Sequence, residues 1–416
     1  MKVFKFGGAS VKDAEGVKNV ATVLKTVGYD NTLVVVSAMG KTTNAMELVI
    51  KNYFENKAEL QSALLDVKKF HNQILLDLFD NERHPVFASV KRLFSELDAF
   101  LKINKSPDYN FVYDQSIGYG ELISTTIISY YLNEIGLKNN WLDVRSFIKT
   151  DNYYRRANVN WEETQSKIIK NFDTTILNIT QGFLGSDSNN FTTTLGREGS
   201  DYTAAIFAYC LNATSVTIWK DVPGVLNADP RYFENAQLLN QISYRETIEL
   251  AFYGASVIHP KTLQPLQRKE IPLFVKSFLN PEVDGTSVSK GKTLTPEIPC
   301  FIVKKNQVLI SLSSLDFSYI VEENISEIFS LLHLYKMKVD VIQNSAISFS
   351  VCLENTYNNL EKLLQHLKAK FNVTCHKNVN LYTIRHFTDE AISTLEKDKT
   401  VLLKQLTQET VQIVTT

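Results

Sequence analysis

The sequence predicts an α/β layered sheet followed by a smaller α+β unit, and three observations predict it. Short apolar runs of strand character end repeatedly in loops of glycine, serine and threonine, followed by apolar residues at helical spacing. With strands and helices alternating, those polar loops fall on one side of the sheet, at the strand ends where α/β folds hold ligands. After Asp284-Gly285-Thr286 the texture changes, and the segments from Gln307 onward run strand, helix, strand, strand, helix, strand.

Taken in order, Lys2-Val3-Phe4-Lys5-Phe6 alternates as a short strand, Gly7-Gly8 breaks it, and Val17, Val20, Ala21, Leu24 and Val27 recur at helical spacing. Thr32 to Val36 is a compact apolar strand that runs into Ser37-Ala38-Met39-Gly40-Lys41-Thr42-Thr43-Asn44, a second loop rich in small donors. Residues from about 45 to 105 keep a helical period, with Leu60, Leu64, Val67, Phe70, Ile74 and Leu75 on its apolar side, and form a helical insertion or side layer. Gln115 to Leu122 repeats the small-polar theme and opens a helix containing Thr125, Ile128 and Leu132. Further strands are expected at Thr175 to Thr180, ahead of Gln181-Gly182-Phe183, and at Ser215 to Trp219, ahead of Lys220-Asp221-Val222-Pro223-Gly224-Val225.

Between Ser289-Lys290-Gly291-Lys292 and Pro299 lies the expected domain boundary, giving residues 1–290 and 298–416. In the second part, strands are expected at Gln307–Leu312, Val339–Gln343, Ile347–Leu353 and Val373–His376, with helices at Ile325–Tyr335 and Leu360–Lys370. A shorter echo follows, with strands at Leu381–Arg385, Val401–Lys404 and Thr410–Val414 around a helix near Glu390–Leu395; a strand from Cys300 to Lys304 would complete its sheet.

Composition narrows the function. The 44 Lys+Arg nearly balance the 45 Asp+Glu, so no general basic field exists for nucleic acid and any anion must be met locally. Cys210, Cys300, Cys352 and Cys375 are scattered, with no close pair and no histidine at zinc-like spacing, so free thiols and no metal site are expected. No signal-like opening and no apolar run of membrane-spanning length occurs, which makes the cytoplasm the default and a membrane partner unexpected.

The stretch Thr192 to Ala205 carries the chemistry. A threonine-rich run meets a glycine turn and then a helix, and the free N–H groups and dipole of a helix start favour carboxylate or phosphate. Gly196 and Gly199 allow close backbone approach, Arg197 can grip an oxyanion in a bidentate fork, and Asp201 can orient a cation or cap the helix. A lone turn of this kind also describes a capped surface helix; its neighbours decide the matter.

With the Lys5 to Gly8 loop, the Ser37 to Asn44 loop, Gly120-Glu121 and the Gly196 to Asp201 junction in view, the chain resembles aspartate kinase. The resemblance continues through Gln181-Gly182-Phe183, Asp221-Val222-Pro223-Gly224-Val225, Asp229-Pro230-Arg231 and Gly254-Ala255-Ser256-Val257-Ile258-His259-Pro260. It implies an amino-acid-kinase, carbamate-kinase-like three-layer αβα sandwich followed by ferredoxin-like ACT modules, the second of them truncated. It also implies ATP-dependent phosphorylation of the side-chain carboxylate of L-aspartate, with Mg2+ bound through the nucleotide phosphates.

By that resemblance Lys5 is the transition-state stabiliser, with Gly7, Gly8 and Ser10 as its phosphate loop, and Asp201 orients Lys5 or the substrate. Glu121 and Arg197 flank the α-groups of aspartate, while Thr43 and Ser200 supply hydroxyl and loop contacts. Lys220, Asp221 and Arg231 stand at nucleotide positions. Some positions depart from the family: Ser256 replaces a frequent lysine near the nucleotide, Leu226 a frequent aromatic residue, and Glu198 a frequent glycine, while Lys220 could restore the missing charge. Met39 takes the place of a small hydroxyl residue. His259 beside Pro260 reads as a packed structural histidine rather than a catalytic one.

The resemblance leaves lysine or threonine as candidate effectors and implies a homodimer through the ACT modules. In relatives the effector loop carries glycine before the first ACT helix; here Phe317 to Ile325 has none. Rival expectations are an amino-acid kinase acting on glutamate, carbamate or a nucleoside monophosphate, and a sensor that has lost turnover. Glu121 with Arg197 favours an amino acid, and intact Lys5 and Asp201 favour turnover.

Overall fold

The computed structural model describes residues 1–416 except Ser256, Val257 and Phe317. Two compact units form: one from Met1–Val225, Leu238–Ile248 and Val257–Leu294, the other from Leu226–Gln237, Glu249–Ser256 and Thr295–Thr416.

In chain order the first part comprises β1 (Lys2–Phe6), α1 (Ala14–Val27), β2 (Thr32–Val36), α2 (Thr42–Glu55), α3 (Lys57–Leu78), α4 (Pro85–Ile103), α5 (Tyr109–Ile117) and α6 (Tyr119–Glu134). There follow β3 (Asn139–Leu142), α7 (Trp161–Asn171), β4 (Leu177–Gln181), β5 (Leu184–Ser186), β6 (Thr192–Thr194), α8 (Gly199–Leu211) and β7 (Ser215–Lys220). It ends with β8 (Gln241–Ser243), α9 (Tyr244–Tyr253), α10 (Pro260–Arg268), β9 (Leu273–Ser277) and β10 (Thr286–Ser289).

An eight-stranded sheet of order β3-β4-β2-β1-β7-β9-β10-β8 forms the core, parallel except for the β9/β10 pair. Its central strands are continuous apolar runs because helices cover both faces. Register sets the site: Phe6 pairs with Val36 and with Trp219, and Val36 pairs with Gln181. The carboxyl ends of β4, β2, β1 and β7 therefore finish level, and the loops at Gly182, Ser37, Gly7 and Asp221 leave from one edge. Trp219, buried, stacks on Phe6 with centroids 6.0 Å apart and meets Phe4 edge-on at 5.7 Å, which stiffens the strand ends beneath those loops.

The helical side layer is built as its periodicity dictates, with one correction. Along α3 the inward positions are Leu60, Leu64, Val67, His71, Ile74 and Leu75, whereas Phe70, expected on that face, is 39% exposed. A 3.6-residue period carries the stripe from Val67 to His71, not to Phe70.

The second unit contains β11 (Cys300–Ser314), α11 (Glu322–Leu334), β12 (Lys338–Asn344), β13 (Ser348–Glu354), α12 (Leu360–Lys368), β14 (Phe371–Arg385), α13 (Asp389–Glu396), β15 (Val401–Leu406) and β16 (Thr410–Thr415). One antiparallel sheet of order β12-β13-β11-β14-β16-β15 results. The strands expected separately at Cys300–Lys304 and Gln307–Leu312 are one strand, β11, with a register shift near Gln307; Val373–His376 and Leu381–Arg385 likewise merge into β14. Both are long because they pair with each other throughout, so the two ACT-like halves share a single sheet. Ile310, Ile328, Leu332, Phe349, Leu363 and Leu367 pack one half, and Ile384, Ile392, Leu395 and Ile413 the other. Among the described residues the four cysteines form no disulfide.

Candidate active site

β1 carries Lys5 to the sheet edge, and its ammonium lies 2.5 Å from the carboxylate of Asp201 in the first turn of α8. Both side chains are almost wholly enclosed, so each charge depends on the other. Gly7 and Gly8 follow at once. A Cβ on Gly8 would come 2.8 Å from the Ala38 carbonyl oxygen and 3.0 Å from that of Gly40, while the Gly40 N–H donates to the Gly8 carbonyl at 3.0 Å. The first two loops thus touch backbone to backbone, which only glycine permits here. Ser10 is buried, and its hydroxyl donates to the Trp219 carbonyl at 3.3 Å, so it braces the phosphate-loop turn onto β7.

The Ser37–Thr43 loop enters α2, where Thr42 is buried and Thr43 half-buried. The Thr42 hydroxyl donates to the Met39 carbonyl at 2.6 Å and lies 3.4 Å from His71 Nε2. His71 Nδ1 is 2.8 Å from the Val67 carbonyl, and burial holds its pKa down to about 4, so a neutral ring donates from Nδ1. Gly120 presses α6 onto this loop: a Cβ there would lie 3.0 Å from Ala38 Cβ and 3.2 Å from Thr42 Cγ2.

Glu121 is 3% exposed. Burial pushes its carboxyl up to about 8 despite backbone N–H donation from Ala38 and from its own residue, and Oε2 has no hydrogen-bond partner among the described residues. Such an orphan acceptor is costly unless a donor arrives; an ammonium group is the donor that would also restore its charge.

On the opposite side of the sequence motif, β6 ends at Thr194, Gly196 turns with φ +79°, and Glu198 takes the left-handed conformation, φ +52°, before α8. That conformation is the physical reason glycine suits position 198. Glu198 makes no side-chain cap, leaving the helix start open. Arg197 is exposed and has no salt-bridge partner among the described residues. Ser200 is buried against Gly182, where a Cβ would come within 2.4 Å of Ser200 Cβ.

The structure therefore gathers Lys5, Gly7, Gly8, Glu121, Ser200 and Asp201 at one sheet edge, with Thr43 in the first turn of α2 and Arg197 on the turn before α8. Lys220 closes β7, and exposed Asp221 opens the turn that follows it. Arg231 counts with the second unit, where it is bound to Asp229 at 2.5 Å and lies over Tyr232 at 5.6 Å. Leu226 also counts with the second unit, and Ser256 lies outside the described residues. His259 is structural, its Nδ1 accepting the Lys261 N–H at 3.1 Å as the cap of α10.

Two supporting residues escaped the sequence reading. His71 braces the Thr42 loop and the buried Asp114 binds β6, while Gln181, named only as part of a motif, donates to Thr125 Oγ1 at 2.7 Å. Their one signal was polarity inside otherwise buried helix and strand positions. Among the described residues no cluster of His, Cys, Asp or Glu is placed to hold a metal, and no helix is long and apolar enough to cross a membrane.

A model of the amino acid kinase family matches residues 1–277. The lysine-sensitive aspartokinase 3 of Escherichia coli (strain K12) is 32% identical over 360 residues, 85% of this chain and 78% of that protein. Chloroplastic aspartokinase 1 of Arabidopsis thaliana is 32% identical over 367 residues, 85% of this chain and 63% of that protein. Among solved structures, E. coli aspartokinase III in complex with lysine and aspartate (T-state) has a TM-score of 0.83 at 29% identity, covering 100% of this chain and 95% of that one. The E. coli aspartokinase III structure with aspartate and ADP (R-state) gives 0.80 at 28% identity, covering 100% and 96%. The loop order, the paired Lys5 and Asp201 and these likenesses agree: the chain belongs to the amino acid kinase family, among its aspartokinases.

Proposed function

We infer that the chain transfers the γ-phosphoryl group of ATP to the side-chain carboxylate of L-aspartate, giving 4-phospho-L-aspartate and ADP. This is the first step of the aspartate-derived route to lysine, threonine and methionine. The observation that carries the choice of acceptor is the buried, half-partnered carboxyl of Glu121 in the same loop cluster as Lys5 and Asp201. An α-ammonium satisfies Glu121, and Arg197, without a salt-bridge partner among the described residues, can take the α-carboxylate. Thr43 and Ser200 line the approach.

Phosphoryl transfer between two anions needs positive charge and alignment more than covalent help. Lys5 supplies that charge where it develops, and Asp201 fixes the direction of its ammonium. Gly7 and Gly8 fit phosphate because their backbone can approach without a Cβ; Lys220 and Asp221, in the same unit, are assigned to the nucleotide side. The acceptor carboxylate has a pKa of about 4 in its free form and is ionised at neutral pH, so no general base is required. Mg2+ would come with the nucleotide phosphates, since Asp201 is committed to Lys5, and would supply neutralisation of phosphate charge.

We assign catalysis to residues 1–290 and regulation to 298–416, with lysine or threonine as the effector class, a homodimer through the ACT modules and a cytoplasmic setting. Paired sheet edges favour such a dimer, as β12 and β15 are open edge strands within the chain. ADP release measured with aspartate, glutamate and no acceptor tests the activity: aspartate alone should support turnover, and equal turnover with glutamate would overturn the assignment.

A further inference from the structure

The turn that presents Arg197 takes one side-chain bond directly, from Lys261 Nζ to the Leu195 carbonyl at 3.3 Å, and both of its walls end on one carboxylate. Asp114, in α5, is fully buried. Its Oδ2 accepts the backbone N–H of Thr194 at 2.8 Å and that of Arg155 at 2.9 Å, and its Oδ1 accepts the Thr194 hydroxyl at 2.8 Å. Thr194 is the last residue of β6, two positions before the Gly196 turn. Arg155 is the other wall: a Cβ on Gly196 would sit 3.3 Å from the Arg155 carbonyl oxygen. The Ala157 N–H also donates to the Thr194 carbonyl at 2.9 Å, closing the two segments on each other. Arg155 is held in place with φ +69°, its guanidinium 4.4 Å from the Tyr113 ring and 5.7 Å from that of Tyr109.

We propose that Asp114 is a positioning residue for substrate binding, setting the aim of Arg197 by clamping Thr194 and Arg155 on either side of the Gly196 turn. This deepens the aspartate kinase assignment and rests on it. A carboxylate suits the task because it is acceptor-only, and all three of its partners are donors. An amide of the same shape keeps its oxygen on the two N–H groups only by turning its NH2 to the Thr194 hydroxyl, which must then accept instead of donate, and the clamp loses its charge-assisted bonds. The glycine loop, Lys5 and Asp201 lie outside this clamp, so the predicted defect is selective for the amino-acid side.

The test is steady-state kinetics on Asp114→Asn and Thr194→Val in the full chain, with melting curves beside them. Wild-type ADP release with aspartate comes first; its absence would count against the activity itself, not against the clamp. Given that activity, Asp114→Asn should raise KM for aspartate about tenfold or more while KM for ATP stays within about twofold. Thr194→Val removes only the hydroxyl donor, keeps the fold if the amide variant does not, and should raise KM for aspartate by a few-fold with KM for ATP unchanged. If the soluble variants show an unchanged KM for aspartate, or equal rises for both substrates, the clamp plays no part in aiming Arg197 and the proposal fails.

Discussion

Lys5 and Asp201 come from opposite ends of the catalytic sequence, the first strand and the helix that starts at Gly199, and meet as an enclosed ion pair 2.5 Å apart at the sheet edge. The pair places a fixed positive charge beside the Gly7-Gly8 turn. Lys5→Ala should lower kcat by about a hundredfold or more with little change in KM for aspartate, the pattern for a charge used at the transferring phosphoryl group. The same change strands Asp201, so its melting temperature should fall as well. Near-normal turnover in a folded Lys5→Ala protein would contradict the role.

The pH dependence should reside in substrate binding rather than in turnover. His71 stays neutral across the working range, its pKa held near 4, so kcat should be flat between about pH 6 and 8. Glu121, pushed up to about 8, must ionise to hold an ammonium, so KM for aspartate should fall roughly fiftyfold as pH rises over that range. Asp114, raised by burial to about 6, adds an acid-side rise in KM; Arg155, Tyr113 and Tyr154 are the charged and titratable groups that face it. Rate profiles at saturating and limiting aspartate separate the two parameters.

Glu121 also predicts a conflict between stability and function. Its raised pKa means the folded chain binds more protons than the unfolded chain between the ordinary glutamate value and about 8, so stability declines as pH rises through that window. Glu121→Gln removes the decline. Melting curves should show it more stable than the wild type at pH 8 by on the order of 4 kcal/mol, and nearly equal near pH 4, while KM for aspartate rises steeply.

Much of this was legible in the sequence. Lys5, Gly7, Gly8, Glu121, Ser200 and Asp201 declare themselves because short glycine and hydroxyl motifs must sit at strand ends. Asp114 and His71 were not legible: each acts through a long-range contact, and a polar residue inside a helix gives no sign of which loop it will meet. The edge strand β8 and its neighbour β10 are too short to show a period, and the merging of β11 and β14 into two shared strands depends on pairing across 57 to 85 residues of chain.

Position 198 offers a backbone test. The left-handed conformation costs a non-glycine residue about 1 kcal/mol, and a β-branched one more. Glu198→Gly should stay within about 1 kcal/mol of the wild type in denaturant melts, with KM for aspartate retained. Glu198→Val should lose roughly 1–2 kcal/mol and raise that KM.

Regulation should be weak. The glycine-free loop before α11 has already consumed one of its backbone donors, since the Val321 N–H is bound by Asn324 Oδ1 at 3.1 Å. An effector that needs backbone groups at close range meets side chains instead. Micromolar lysine or threonine should leave activity unchanged, while mass measured in solution should still give a dimer; strong inhibition at that level, or a monomer, would contradict the respective half.

The most direct test of the central claim is to trap the product itself. An acyl phosphate reacts with hydroxylamine to give a hydroxamate, so the enzyme, ATP, aspartate and hydroxylamine should together yield aspartyl β-hydroxamate in step with ADP. Omitting aspartate, replacing it with glutamate, or using Lys5→Ala should abolish or sharply reduce the product. ADP release with no hydroxamate, or a hydroxamate formed equally from glutamate, would contradict phosphoryl transfer to the aspartate side chain.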